Sequence, residues 1–166
     1  MGLEIERRFI VQGNAWKELS TEVKAFHQGY FSTSFEEWIV RLRIINEKHS
    51  EITLKARATE MINHEFEYPI PIKDALYMWD LISNKIKKKR HILNFEQGKW
   101  VVDCFEGKNF PLVLAEVELN SEKEKITKPS WCSHEITGVK SFSNAALAKS
   151  PITEWSITER QRFNLQ

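Results

Sequence analysis

The chain has 166 residues and a mass of 19.6 kDa, long enough to bury a core without disulfide or metal staples and short enough to be one domain spanning residues 1–166. Hydrophobic residues make up 42% and charged residues 28%, which excludes a wholly disordered or collagen-like chain. Lys and Arg number 24 against 23 Asp and Glu, so the formal net charge of +1 gives no global pull toward nucleic acid or a membrane, and any function that uses charge must use its local arrangement. Cys104 and Cys132 form no CxxC pair and read as free thiols of a reducing compartment. The opening residues from Met1 lack the basic and apolar regions of a secretory signal, and Glu6 stands where a myristoylation pattern needs Ser or Thr. No apolar run approaches the roughly 18 residues of a membrane span, so the expected place is the cytoplasm, with no membrane partner.

Most of the chain alternates with period two, the signature of strands. Gly2 to Val11 sets Leu3, Ile5 and Phe9 against Glu4, Glu6 and Arg8. Asn14 is a good N-cap for a helix over Ala15 to Phe26, and a short aromatic strand follows at Gln28 to Ser32. Trp38 to Ile45, Glu51 to Ala58 and Asn63 to Ile70 alternate as strands, with a hairpin turn between Ile45 and Ser50. Ile72 to Ile86, after Pro71, has apolar residues near helical spacing. Lys87 to Phe95, Lys99 to Glu106 and Val113 to Asn120 complete eight strands, with a turn at Gln97-Gly98, one helical turn over Ser121 to Lys125 and a short helix over Ser143 to Ala148. The six tryptophans read as packing residues on an outer face, and the five histidines show no metal-ligand spacing.

The informative feature is where the charges fall. Residues at i and i+2 of a strand share a face. Glu4, Glu6 and Arg8 do so, as do Arg41 with Arg43, Lys55 with Arg57, Glu65 with Glu67, Lys88 with Arg90, and Glu116 with Glu118. On one strand such a pair is most often the wet side of a half-buried sheet. Here the signs are sorted strand by strand, and like charges on one face cost stability unless opposite charges lie across from them. A sheet closed on itself with these faces inward meets that need, and eight strands leave room for one small ligand. Arg and Lys donate to phosphate oxygens, and carboxylates are hard ligands for a divalent cation, so the mixture suits a metal–polyphosphate complex. The basic run Lys85 to Arg90 also fits a nucleic-acid patch, but the near-neutral chain speaks against that partner.

These residues resemble a known family. Glu4-Ile5-Glu6-Arg7-Arg8-Phe9 looks like the N-terminal ExExK signature of the CYTH domain, the triphosphate tunnel metalloenzymes. In the same order follow Gln28-Gly29-Tyr30-Phe31, Val40-Arg41-Leu42-Arg43, Thr53-Leu54-Lys55, Glu65-Phe66-Glu67, Lys88-Lys89-Arg90-His91, Val102-Asp103-Cys104-Phe105 and Ala115-Glu116-Val117-Glu118, with a terminal segment from Glu135 through Lys140 to Ala148. The Lys87 to Arg90 run fits its motif in more than one register.

The resemblance implies a mainly β fold: a closed eight-stranded antiparallel barrel forming a charged tunnel, with helices packed outside. It implies hydrolysis of a small triphosphate, foremost inorganic triphosphate, with Mg²⁺ or Mn²⁺, by a monomer or homodimer. Adenylate cyclase and thiamine-triphosphatase activities are the alternatives within the family. By motif, Glu4, Glu6, Glu116 and Glu118 would bind metal, and Arg41, Arg43, Lys55, Lys88 and Arg90 the phosphates, with Lys140 at one end of the tunnel. Glu65 and Glu67 fit metal or water positioning and fit equally a role as counter-ions; Arg57 and Asp103 stand among the same residues. Glu4, Glu6 and Arg8 form the catalytic signature, but its third position is lysine in most members. If that position acts through charge, Arg8 serves; if it takes a proton from water, Arg8 does not, because guanidinium stays protonated. A protein that binds a triphosphate or nucleotide without turnover is therefore the competing reading.

Overall fold

A computed structural model of the protein describes residues 2–32, 38–95 and 98–165. Its strands are β1 (Gly2–Val11), β2 (Ser20–Phe31), β3 (Trp38–Ile45), β4 (His49–Arg57), β5 (Ile62–Pro69), β6 (Asn84–Leu93), β7 (Lys99–Phe105), β8 (Val113–Glu118) and β9 (Cys132–Glu135). Three α-helices accompany them: α1 (Ile72–Leu81), α2 (Asn144–Lys149) and α3 (Ile157–Arg162). The sheet order β5-β4-β3-β2-β6-β7-β8-β1 returns on itself because β1 also pairs with β5, which closes the expected eight-stranded antiparallel barrel. One edge of β1 runs along β8; the other meets β5 at Gly2 to Ile5 and the extra strand β9 at Phe9 to Val11.

The structure corrects two helices. Only Ala15–Leu19 is helical after Asn14, as a 3₁₀ turn with no side-chain cap; from Ser20 the chain is the twelve-residue β2. Tertiary pairing decides this, because β2 lies between β3 and β6 and buries Phe26, Gln28 and Tyr30 on one face. The helix expected to reach Ile86 ends at Leu81, Ile82 is extended, and β6 begins at Asn84. Ile82 lies under Gly29, where a Cβ would come within 2.8 Å of the Ile82 Cδ1, so the close approach of α1's end to the barrel needs glycine. Ser121 to Lys125 forms no helix, and β9 was not anticipated. The turn at Gln97-Gly98 falls partly outside the described residues, as do the ends of the chain at Met1 and Gln166. Between β3 and β4, Asn46 and Glu47 take positive φ (51° and 58°), as a tight hairpin requires.

Apolar side chains pack on both sides of the barrel wall. Phe9, Trp100, Val102, Val117 and Trp131 form a cluster on its outer face, and Leu42, Ile44, Ala75 and Ile82 seat α1 against β3. A third cluster closes the barrel's interior at one end. The inward row of β1 reads Glu4, Glu6, Arg8, then Ile10; that of β8 reads Glu118, Glu116, then Leu114. Ile10, Ile86, Phe105 and Leu114 pack there with Phe142, Leu147 and Ile152 from the C-terminal segment. The interior thus changes from charged to apolar along its axis. Cys104 and Cys132 are free thiols, and among the described residues no helix is long and apolar enough to cross a membrane.

Candidate active site

The charged part of the interior is a cavity of about 780 Å³. Alternation in each strand delivers its lining: Glu4, Glu6 and Arg8 from β1, Arg41 and Arg43 from β3, Thr53, Lys55 and Arg57 from β4, Arg90 from β6 and Glu116 from β8. Lys140, Ser143 and Asn144 come from the segment that crosses the barrel end. Cross-strand register sets opposite charges side by side, with Arg8 beside Glu116, Lys55 beside Glu65, Arg43 beside Glu51 and Arg90 beside Asp103. This is the compensation that sorted like-charge pairs require.

Two ion networks hold the lining. On the β3–β5 side, Arg41 Nη2 donates to Thr53 Oγ1 (2.8 Å), Glu65 Oε1 (3.2 Å) and Glu67 Oε1 (3.2 Å), while Arg43 donates to Glu51 (2.8 Å). Lys55 is bonded to Glu4. On the β6–β8 side, Arg90 donates through Nε and Nη2 to both oxygens of Asp103 (2.8 and 2.7 Å) and also to Glu116 (2.5 Å). Lys88 donates to Asp103 at 2.6 Å and to Asn144 at 3.2 Å. Phe26 sits between the networks, with the Arg43 and Arg90 guanidinium carbons 5.0 and 5.3 Å from its ring centroid.

The environment shifts several groups. Burial opposes the Glu116 charge, but Arg90 and Arg8 outweigh it and hold that carboxyl far below the usual range. Glu6 has the opposite fate: burial, then the neighbouring Glu116 and Glu4 charges, push it up to about 7. The Glu6 backbone N–H donates to the Met61 carbonyl (3.2 Å), but no hydrogen bond or ion pair reaches its carboxylate among the described residues. Burial lowers the Lys88 ammonium to about 8 despite Asp103. Three buried guanidinium donors of the lining, Arg8 Nη2, Arg41 Nε and Arg43 Nε, have no acceptor among the described residues.

The sequence-expected residues separate into lining and support. Lys88 and Asp103 are buried behind the lining, Glu65 and Glu67 act on it through Arg41, and Glu118 is exposed beside Lys99. Lys140 and Arg57 stand exposed at the rim, Arg57 bonded to the Thr59 carbonyl. Thr53 and Tyr30 also line the cavity; both belong to segments that carry the family resemblance, Thr53-Leu54-Lys55 and Gln28-Gly29-Tyr30-Phe31, but neither had been given a site role. Thr137, in the turn after β9, and Ser143 and Asn144, the N-cap and first residue of α2, also line the cavity; they fall in the terminal segment that resembles the family's, but no site role was assigned to them.

The donor set fits a hard divalent cation. Glu4, Glu6 and Glu116 line one cavity, and a cation there relieves the crowding that raises Glu6. Among the described residues no three His, Cys, Asp or Glu side chains stand together closely enough to hold a metal ion on their own.

Comparison with known proteins points the same way. The chain is 39% identical over 153 residues to the inorganic triphosphatase of Acetivibrio thermocellus, covering 91% of this chain and 96% of that protein. It is 30% identical over 151 residues to the inorganic triphosphatase of Nitrosomonas europaea, covering 89% and 97%. The crystal structure of the inorganic triphosphatase NE1496 superposes with a TM-score of 0.67 at 30% identity, over 89% of this chain and 95% of that one. The family model for the CYTH domain matches residues 2–147, and with a closed barrel carrying the signature carboxylates and arginines inward, the chain belongs to the CYTH domain family.

Proposed function

We propose that the cavity hydrolyses a triphosphate, foremost inorganic triphosphate, to phosphate and pyrophosphate with Mg²⁺ or Mn²⁺. The observation that carries this reading is one cavity in which Arg8, Arg41, Arg43, Lys55 and Arg90 face Glu4, Glu6 and Glu116, with three buried guanidinium donors lacking acceptors. The names of the relatives in Acetivibrio thermocellus and Nitrosomonas europaea support the same substrate.

The mechanism follows from an exchange of partners. Without substrate, the basic and acidic side chains neutralise one another. A triphosphate supplies oxygens to Arg8, Arg41, Arg43, Lys55 and Arg90, which hold it in extended form. Glu4 would thereby be released from Lys55 and Glu116 Oε2 from Arg90, while Glu116 Oε1 stays on Arg8, and with Glu6 these carboxylates would hold the divalent cation. That cation, when bound, neutralises phosphate charge and activates water as a nucleophile. Water attacks the terminal phosphorus, the bridging P–O bond breaks, pyrophosphate leaves, and the water's proton passes to a phosphate oxygen of the products or to solvent. Arg8 contributes charge and donated hydrogen bonds and takes no proton, because a guanidinium flanked by Glu116 and Glu6 stays protonated. Glu65 and Glu67, both on Arg41, serve as counter-ions, and Lys88 and Asp103 orient Arg90.

Phosphate release from inorganic triphosphate, ATP and thiamine triphosphate, each with Mg²⁺, Mn²⁺ or chelator, tests the proposal. Metal-dependent release fastest with inorganic triphosphate is expected. Thermal stabilisation by triphosphate with no release from any substrate would make the protein a binding module instead.

A further inference from the structure

We propose that the segment from Pro151 to Leu165, beyond the end of the family match at residue 147, positions Arg8 for phosphate by holding Phe142 in place; the inference rests on the reading of the cavity as a triphosphate site. The Phe142 ring is fully buried. Trp155 and Phe163 meet it edge-on, with centroids 5.1 and 4.8 Å away. The segment is itself anchored. Buried Asn109 donates to the Leu147 carbonyl (3.0 Å) and accepts from the Ile152 N–H (3.0 Å), and Ser156 with Glu159 closes the start of α3 as a capping box.

The consequence reaches the cavity through one carbonyl. Arg8 Nη1 donates to the Phe142 oxygen at 3.1 Å, and Arg8 Nε donates to Glu116 at 3.2 Å. The remaining nitrogen, Nη2, is buried without an acceptor among the described residues, on a side chain that lines the cavity. A guanidinium is planar and rigid, so two anchored nitrogens set the direction in which the third donates. A lysine at this position is a point charge on a flexible stem and has no comparable dependence on a second anchor. Arg8 and the terminal segment therefore act as two parts of one arrangement, with Trp155 and Phe163 as positioning residues.

The test is a double-mutant cycle in the full chain. Phe163→Ala and Phe163→Tyr are made in the wild-type and Arg8→Lys backgrounds, with Trp155→Ala as a second probe of the same contact should Phe163→Ala not fold. Three quantities are read: affinity for inorganic triphosphate by calorimetry in chelator, kcat/KM for phosphate release with Mg²⁺, and Tm. With Arg8 present, Phe163→Ala should weaken affinity and kcat/KM about tenfold, the scale of one charge-assisted hydrogen bond. In the Arg8→Lys background the loss should stay under about twofold. Phe163→Tyr should restore both quantities, and the fall in Tm should be the same in the two backgrounds. Equal losses of affinity in both backgrounds, or none in either, overturn the inference while leaving the triphosphate reading intact. A wild-type protein that neither binds nor hydrolyses inorganic triphosphate overturns both.

Discussion

Asp103 is a buried counter-charge, and removing it should be costly. Its side chain is 1% exposed and takes three charge-assisted hydrogen bonds, two from Arg90 and one from the fully buried Lys88. Asp103→Asn keeps the shape and removes the charge, leaving Glu116 as the one carboxylate among the described residues in contact with Arg90 and none among them in contact with Lys88. Breaking a buried pair in this way costs about 3–5 kcal/mol, a large part of the roughly 5–15 kcal/mol that stabilises a domain. For a chain of this length the fall in Tm is roughly 10 °C. The deficit should also depend on pH. Lys88 titrates at about 8 in the fold, below its ordinary 10.5, so the unfolded chain binds the extra proton and stability rises with pH above the folded value. Without Asp103 the folded value drops further, and the variant's rise begins earlier than that of the wild type. Denaturant titrations should therefore show the deficit narrowing as pH climbs toward 8 and holding constant beyond it. A deficit below about 1 kcal/mol at acidic to neutral pH, or one that widens toward pH 8, would refute the reasoning.

Other substitutions probe other parts of the argument. Glu6→Gln should abolish metal-dependent turnover yet stabilise the protein in chelator at alkaline pH. The folded Glu6 carboxyl keeps its proton up to about 7 against an ordinary 4.5, so wild type loses stability as pH rises through that window, on the order of 3 kcal/mol, and the variant does not. The two proteins should unfold alike below about pH 4, which urea titration reads directly. Ser143→Ala removes the side-chain acceptor of the Ala146 N–H at the start of α2 and should cost about 1 kcal/mol in thermal unfolding. Gly29→Ala places a Cβ 2.8 Å from the Ile82 side chain, and the repacking should cost about 1–3 kcal/mol in the same assay.

The strands were legible wherever one face is charged and the other apolar. β1, β3, β4 and β8 carry Glu4, Glu6, Arg41, Arg43, Lys55 and Glu116 on inward rows, and period-two spacing in the sequence is enough to group them. Sorting of sign by strand was also legible, and a sheet closed on itself is one arrangement that sets opposite charges across from such rows; the eight-stranded barrel itself followed from the family resemblance. Near β2 local spacing points to the wrong element. Trp16, Leu19, Val23 and Phe26 satisfy a helical spacing, and only pairing with β3 and β6 turns Ser20–Phe31 into a strand. At the end of α1 it does so for the same reason: Ile82 and Ile86 continue the apolar pattern but serve a connection and a strand.

Which charges line the cavity and which stand behind it was a matter of tertiary structure. Lys88 and Arg90 are indistinguishable by spacing, yet Lys88 is sealed against Asp103 and Phe105 while Arg90 reaches Glu116 and the cavity. Glu116 and Glu118 share a face, but Glu118 lies exposed beside Lys99. The contact between Arg8 and the Phe142 carbonyl joins β1 to a 3₁₀ turn 134 positions away. The sequence alone therefore determined most of the strands and which charges share a face, because alternation is a local property of the backbone, and the family resemblance supplied the barrel. The aim of each charged side chain was decided by the tertiary structure, because burial and partner identity exist only once distant segments meet.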